Sequence, residues 1–182
     1  MLYVYVDTQH VYLVTGQIMA TSTIDLDDTD RRILELLQRD GRMTNAALAD
    51  AVGLTATPML QRVRKLEDAG VIQRYTAVID PSKVGRPVLA FVHITLKDHG
   101  LQNHKKLVGI VARLPHVLEC HHIAGEEDIL LKVSLRDIAE LEHLLLNELS
   151  ASGLVGRIKT TLVLSSYKSG APIPVSGSEA EP

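Results

Sequence analysis

Thr57, Gln61 and Lys65 recur at the spacing that gathers side chains on one side of a helix, with Arg62 and Arg64 flanking them. Their hydroxyl, amide, ammonium and guanidinium groups are the donors that reach base edges and phosphates in the major groove of DNA. Met59, Leu60, Val63 and Leu66 fall on the opposite side and are expected to face a core. Basic residues on a helix more often mark a merely solvated face. What precedes this stretch decides between the two readings.

Two helical segments are expected between Thr44 and Gly70, with a sharp break between them. The first opens at Thr44, a capping residue, and closes at Gly53, which tolerates positive φ. The second opens at Thr55 as its cap, carries Pro58 in its first turn where a missing N–H costs little, and closes at Gly70. Two short helices joined by a tight glycine-bearing turn are the helix-turn-helix signature, and the second is the recognition helix. The candidate DNA-binding set is therefore Thr44, Asn45, Thr55, Thr57, Pro58, Gln61, Arg62, Arg64 and Lys65.

The 182 residues leave room for one domain or two small ones, and 46% hydrophobic with 23% charged residues describes an ordinary soluble chain. With no Trp and one Phe, aliphatic residues must fill the core. Cys120 is the only cysteine, which excludes an internal disulfide or a cysteine-based zinc cluster and fits a reducing cytoplasm. No apolar run approaches membrane-span length. The net charge of −3 is unusual for a DNA binder, but residues 54–76 hold four cations (Arg62, Arg64, Lys65, Arg74) against Glu67 and Asp68. Affinity is expected to rest on paired heads and base contacts more than on bulk attraction.

In chain order, residues 1–17 hold two apolar runs able to form strands, but they lack the basic start and long apolar run of a secretory signal. Met19 is expected as the true start of translation, with residues 1–18 an artefact of start-site choice and a tolerated extra arm as the alternative; residues 1–24 as a whole read as an extension outside the organised chain. Residues 25–87 form the head and hinge. Asp27 caps a first helix with Asp30 three residues on, and Ile33, Leu34 and Leu37 form its stripe. Ala46, Ala47, Leu48, Ala49, Ala51 and Val52 are expected to pack the middle helix closely. The β-branched residues of 71–79 read as a strand, the wing or hinge, and Pro81, Gly85 and Pro87 mark a boundary.

Residues 88–168 read as a second domain. Strands are expected at 88–96, 117–124, 129–133 and 157–164. Helices are expected around Leu107, Val108, Val111 and Leu114, and again from the capping box Asp137/Glu140 through Ile138, Leu141, Leu144, Leu145 and Leu149 to Gly153. The order βαββαβ implies a ferredoxin-like antiparallel sheet covered on one face, so the fold class is α+β, a winged helix-turn-helix head on a ferredoxin-like body. The open face should keep Leu or Val at alternate positions of 88–96, a patch that sheet-to-sheet dimerisation would cover while pairing the heads. The Pro-, Ser-, Gly- and Glu-rich residues 169–182 read as a disordered tail.

Such a head on such a body resembles the Lrp/AsnC family, the feast/famine regulators, over residues 26–167. The resemblance is carried by Leu-Asp-Asp-Thr-Asp-Arg-Arg-Ile-Leu (26–34), Asp-Gly-Arg (40–42), Gly-Leu-Thr-Ala-Thr-Pro (53–58) and Arg-Val-Arg-Lys-Leu-Glu (62–67). It continues in Gly-Val-Ile (70–72), Tyr-Thr-Ala-Val-Ile-Asp-Pro (75–81), Leu-Pro-His-Val (114–117) and Gly-Glu-Glu-Asp-Ile-Leu-Leu (125–131). Thr57-Pro58 is most similar to the leucine-responsive branch. The resemblance implies a transcription regulator acting on double-stranded DNA. It also implies a homodimer that can build tetramers, octamers or larger discs, and a free amino acid, leucine or another apolar one, bound between dimers. The loop matching that cleft is Gly125, Glu126, Glu127 and Asp128. The chain departs from the family in having Glu127 and Ile129 where aromatic residues are common.

Other chemistry is weaker. His121 and His122 are adjacent, so in a strand they point to opposite faces and cannot share a metal. Residues 125–128 offer three carboxylates to a cation, to an effector's ammonium, or simply to solvent, with Gly125 permitting the turn and Asp128 capping it. Cys120 reads as a small core residue, and no phosphate-binding glycine loop is present. No enzyme is expected. The rival readings are a DNA-independent small-molecule sensor and a dimeric α+β barrel enzyme, neither of which needs the face of Thr57, Gln61, Arg64 and Lys65.

Overall fold

The computed structural model describes residues 3–7, 10–14 and 24–175. Near the start, β1 (Tyr3–Asp7) pairs antiparallel with β2 (His10–Val14), and Met19 lies outside the described residues. The described residues form two units, a head and a body, and the β1–β2 hairpin belongs to the body's unit.

The head holds α1 (Asp28–Arg39), α2 (Asn45–Val52) and α3 (Ala56–Asp68). Each of the first two begins where a short polar side chain can take up a free N–H. Asp27 accepts from Asp30 N at 2.8 Å and Thr44 from Ala47 N at 3.2 Å. Gly53 ends α2 at φ 72°, in the left-handed region that a side chain would strain. Ile33, Leu34, Leu48, Ala49, Met59, Val63 and Leu66 make the core. Leu60 was expected among them but is 36% exposed, at the edge of the α3 stripe that buries Met59, Val63 and Leu66. Ala46, Ala47 and Ala51 face outward, because the eight-residue α2 buries only one narrow stripe. Residues 71–79 form no strand. Val71 and Ile72 fold back to Leu66 O, and Val78 is 92% exposed; β-branched residues favour a strand only where another strand stands beside them.

Of the tail, residues 169–175 depart from expectation, and residues 176–182 lie outside the described residues. Through Val175 the tail runs along α1, where Ile173 N donates to Gln38 Oε1 at 2.6 Å and Gln38 Nε2 donates to Ile173 O at 3.0 Å. Arg31 Nη1 donates to Val175 O at 2.6 Å, and Val175 packs half-buried on the head's core.

The body is β3 (Val88–Leu96), α4 (Leu101–Val111), β4 (Val117–His122), β5 (Ile129–Leu135), α5 (Ile138–His143) and β6 (Val155–Leu162). The sheet order is β4-β5-β3-β6, antiparallel throughout, as the βαββαβ order requires. Asp137 caps α5, and Glu140 reaches back to Arg136 N at 2.6 Å. Beyond His143 the helix widens into π turns over Leu144–Leu149, which places Leu144 and Leu149 both in the core. Ile138, expected on the buried stripe, is exposed.

Ala90, Val92, Ile94 and Leu96 face the helices, packed on Leu107, Val111, Leu141, Leu144 and Leu149. Alternation therefore sends Leu89, Phe91, His93 and Thr95 to the open face, which is less aliphatic than the sequence suggested. Where β3 bulges at Thr95/Leu96, β6 passes so close that a Cβ on Gly156 would lie 3.3 Å from Leu96 O and Thr95 O.

Candidate DNA-reading face and effector loop

On α3, Thr57, Gln61, Arg64 and Lys65 are exposed, and Pro58 is half-buried in the first turn. At about 100° per residue these four exposed side chains lie within roughly 80° of Thr57 on one side or the other, so they form one outward strip. Among the described residues Arg64 makes no ion pair. Thr55 stands at the cap position, but its hydroxyl makes no capping bond; only its carbonyl is used, accepting Met59 N at 3.2 Å. Thr44 is exposed and Asn45 half-buried at the start of α2.

Arg62 does not join the strip. Its Nη1 donates to Asp27 Oδ2 at 2.6 Å and to Asp30 Oδ1 at 2.7 Å, and Lys65 Nζ stands 3.6 Å from Asp30 Oδ2. The Asp30 backbone N–H, and then Arg62, hold the Asp27 carboxyl below the usual carboxylate range, while the two carboxylates raise Arg62. Sequence reasoning read Asp27 and Asp30 only as a cap. Their second duty depends on a partner 35 and 32 residues away, which no local pattern announces.

In the body, residues 125–128 do not converge on one point. Gly125 and Glu126 are exposed. Glu127 turns toward β6, with Lys159 Nζ at 3.5 Å and Arg157 Nη2 at 3.9 Å. Asp128 binds the sheet: Oδ2 accepts Leu96 N at 2.8 Å, Oδ1 meets His99 Nδ1 at 2.9 Å, and its own N–H donates to Ile94 O at 2.9 Å. Asp128 thus anchors the loop to β3 and His99 and caps no N–H within 125–128.

Next to this loop lies His104, which sequence reasoning passed over. His104 of α4 is buried and meets His122 edge to face at a centroid distance of 4.6 Å. Burial, then the neighbouring His122, push the His104 pKa down. His121 points the other way, to Glu119 at 3.2 Å, so the two adjacent histidines do diverge. Burial raises the Cys120 thiol to about 11. Among the described residues no group of three or more His, Cys, Asp or Glu side chains is arranged to hold a metal ion.

Comparison with known proteins agrees with both halves. Residues 26–73 match a winged helix-turn-helix DNA-binding model, and residues 89–173 match the Lrp/AsnC ligand binding domain. The chain is 37% identical over 152 residues to the leucine-responsive regulatory protein of Rhizobium meliloti, covering 84% of this chain and 97% of that one. It is 36% identical over 149 residues to the HTH-type transcriptional regulator AldR of Mycobacterium tuberculosis, covering 82% and 83%. Among solved structures it is similar to a Neisseria meningitidis transcriptional regulator in complex with L-Met, with TM-score 0.78, 32% identity, and 82% and 97% of the two chains covered. It is also similar to Escherichia coli AsnC, with TM-score 0.73, 28% identity, and 80% and 96% covered.

Proposed function

The chain belongs to the Lrp/AsnC family of transcriptional regulators, and from that premise we propose how its own residues read DNA and sense a ligand. The observation that carries the reading is the outward strip of α3, behind a capped α2 and the Gly53 turn. Gln61 is positioned to give its amide to a base edge, Thr57 and Arg64 to flank it, and Lys65 to reach a phosphate. Thr44, Asn45 and the unused Thr55 hydroxyl supply backbone contacts beside it. A mobility-shift assay on the gene's own upstream region tests this. A retarded complex that survives scrambled competitor supports it, and equal competition by scrambled DNA refutes it.

The ligand is proposed to be a free amino acid, leucine or another apolar one. The ligand-binding domain match and the Neisseria relative's complex with L-Met support that class. Exposed Glu126 would take the ammonium and the N–H groups around Gly125 the carboxylate, with Glu127 and Asp128 shaping the loop. A ligand acts only by favouring one state of the protein over another, so millimolar amino acid should change oligomer size or operator affinity. A screen of the standard amino acids by thermal shift and analytical ultracentrifugation, silent for all, would remove the effector.

Assembly as a homodimer, and from dimers to tetramers or octamers, belongs to the same proposal. The open sheet face offers Leu89, Phe91 and Leu130, bordered by the Lys132–Glu119 pair at 2.8 Å. A second copy seated there would cover the apolar centre, and light scattering on the full chain reads the outcome. No described helix is long and apolar enough to cross a membrane, and a regulator works where the DNA is, so the cytoplasm is the compartment assigned.

A further inference from the structure

We infer that Arg62 is a positioning residue and not a DNA contact: with Asp27 and Asp30 it forms a clamp that sets the rotation of α3, so that Thr57, Gln61 and Arg64 face outward together. The inference rests on the reading of α3 as recognition helix and names which of its cations are withheld from DNA. One nitrogen, Nη1, serves both carboxylates, at 2.6 and 2.7 Å. Asp27 caps α1 and Asp30 lies in its first turn, so the contact ties the middle of α3 to one end of α1.

The Asp30 side chain is only 1% exposed, and its Oδ2 receives no hydrogen bond, with Lys65 Nζ 3.6 Å away. Moving Arg62 to a phosphate would strand that carboxylate in the core without its nearest cation, which is strongly unfavourable. Arg62 also lies about 140° around α3 from Thr57, toward α1 and off the reading strip. Geometry and electrostatics therefore both hold it inward.

The test titrates the full-length protein against a duplex that the wild type selects from a random library, and against a scrambled duplex of equal length, over a salt series. A lost phosphate contact lowers the slope of log K against log salt by about 0.9. For Arg62→Gln the expected result is an unchanged slope, with the selected-to-scrambled affinity ratio falling about tenfold. A slope reduced by about 0.9 with the ratio intact would overturn the inference.

Because losing Arg62 can unfold the head, Asp27→Asn is measured beside it. Asparagine keeps an acceptor for the Asp30 N–H and removes one leg of the clamp. Its ratio should fall about threefold at constant slope; a steeper slope, from an Arg62 released to the phosphates, overturns the inference. Without DNA, amide hydrogen exchange along α3 should quicken severalfold in Asp27→Asn, and unchanged exchange also overturns it. Failure of the recognition-helix reading looks different. The wild type would then hold both duplexes equally, while hydrogen exchange would still report on the clamp.

Discussion

Asp128 accepts the backbone N–H of Leu96 at 2.8 Å, so one of the three carboxylates that the sequence offers to a ligand already joins the end of β3 to the start of β5. Removing it leaves a half-buried N–H without an acceptor. Asp128→Ala should therefore lower the stability of the body by about 1–3 kcal/mol in urea denaturation. Asp128→Asn keeps an acceptor and removes the charge. An amino-acid response that survives Asp128→Asn but is lost in Glu126→Gln would assign the ammonium to Glu126.

On the reading strip, Gln61→Ala should cost roughly 1–3 kcal/mol on the specific site and little on scrambled DNA. Arg64→Ala and Lys65→Ala should weaken binding to all sequences and each lower the salt slope by about one if they meet phosphates. Titrations at fixed salt in which neither Gln61→Ala nor Lys65→Ala moved operator affinity would show that this strip does not read DNA.

The two-way bond between Gln38 and Ile173, with Val175 on the core, makes the tail part of the head. Ending the chain after Lys168 should destabilise the head by about 1–2 kcal/mol, from lost apolar burial and partly exposed hydrogen bonds. Hydrogen exchange localised to α1 measures it, and an unchanged protection pattern would show the contact to be energetically idle.

Acid should loosen the body before its carboxylates titrate. Burial lowers the His104 pKa below 6.5, and burial lowers that of His116 as well. The unfolded chain then binds protons that the folded chain refuses. Stability is thus fully present above about pH 6.5 and declines as pH falls from there toward the folded pKa values. His122 opposes protonation of His104 and Asp128 favours it, so the drop is a balance of both neighbours and burial. The urea midpoint should be lower at pH 5.5 than at pH 7.5, and His104→Gln should reduce that difference.

Local signals were legible where local physics decides the outcome. Asp27, Thr44 and Asp137 each cap the helix that their sequence context announces, and Gly53 takes the left-handed turn. The βαββαβ order and the strip of Thr57, Gln61, Arg64 and Lys65 follow from the same periodicities. What stayed hidden depends on partners distant in the chain. Residues 71–79 have strand composition but no neighbour to pair with. Arg62 has the chemistry of a DNA contact but meets Asp27 and Asp30 first. The tail has a disordered composition, yet Gln38 supplies paired hydrogen bonds that composition cannot foretell.

The place of Val175 on the head's core has a consequence for how the protein is made. A ribosome releases the three head helices first and the body next, and domains generally fold in that order of synthesis. The head nevertheless draws one packing partner from the far end of the chain. Until Val175 emerges, the newborn head holds its three helices with that side of α1 uncovered. Completion of the head is thereby tied to synthesis through Val175, and a product terminated before that residue carries an unfinished head.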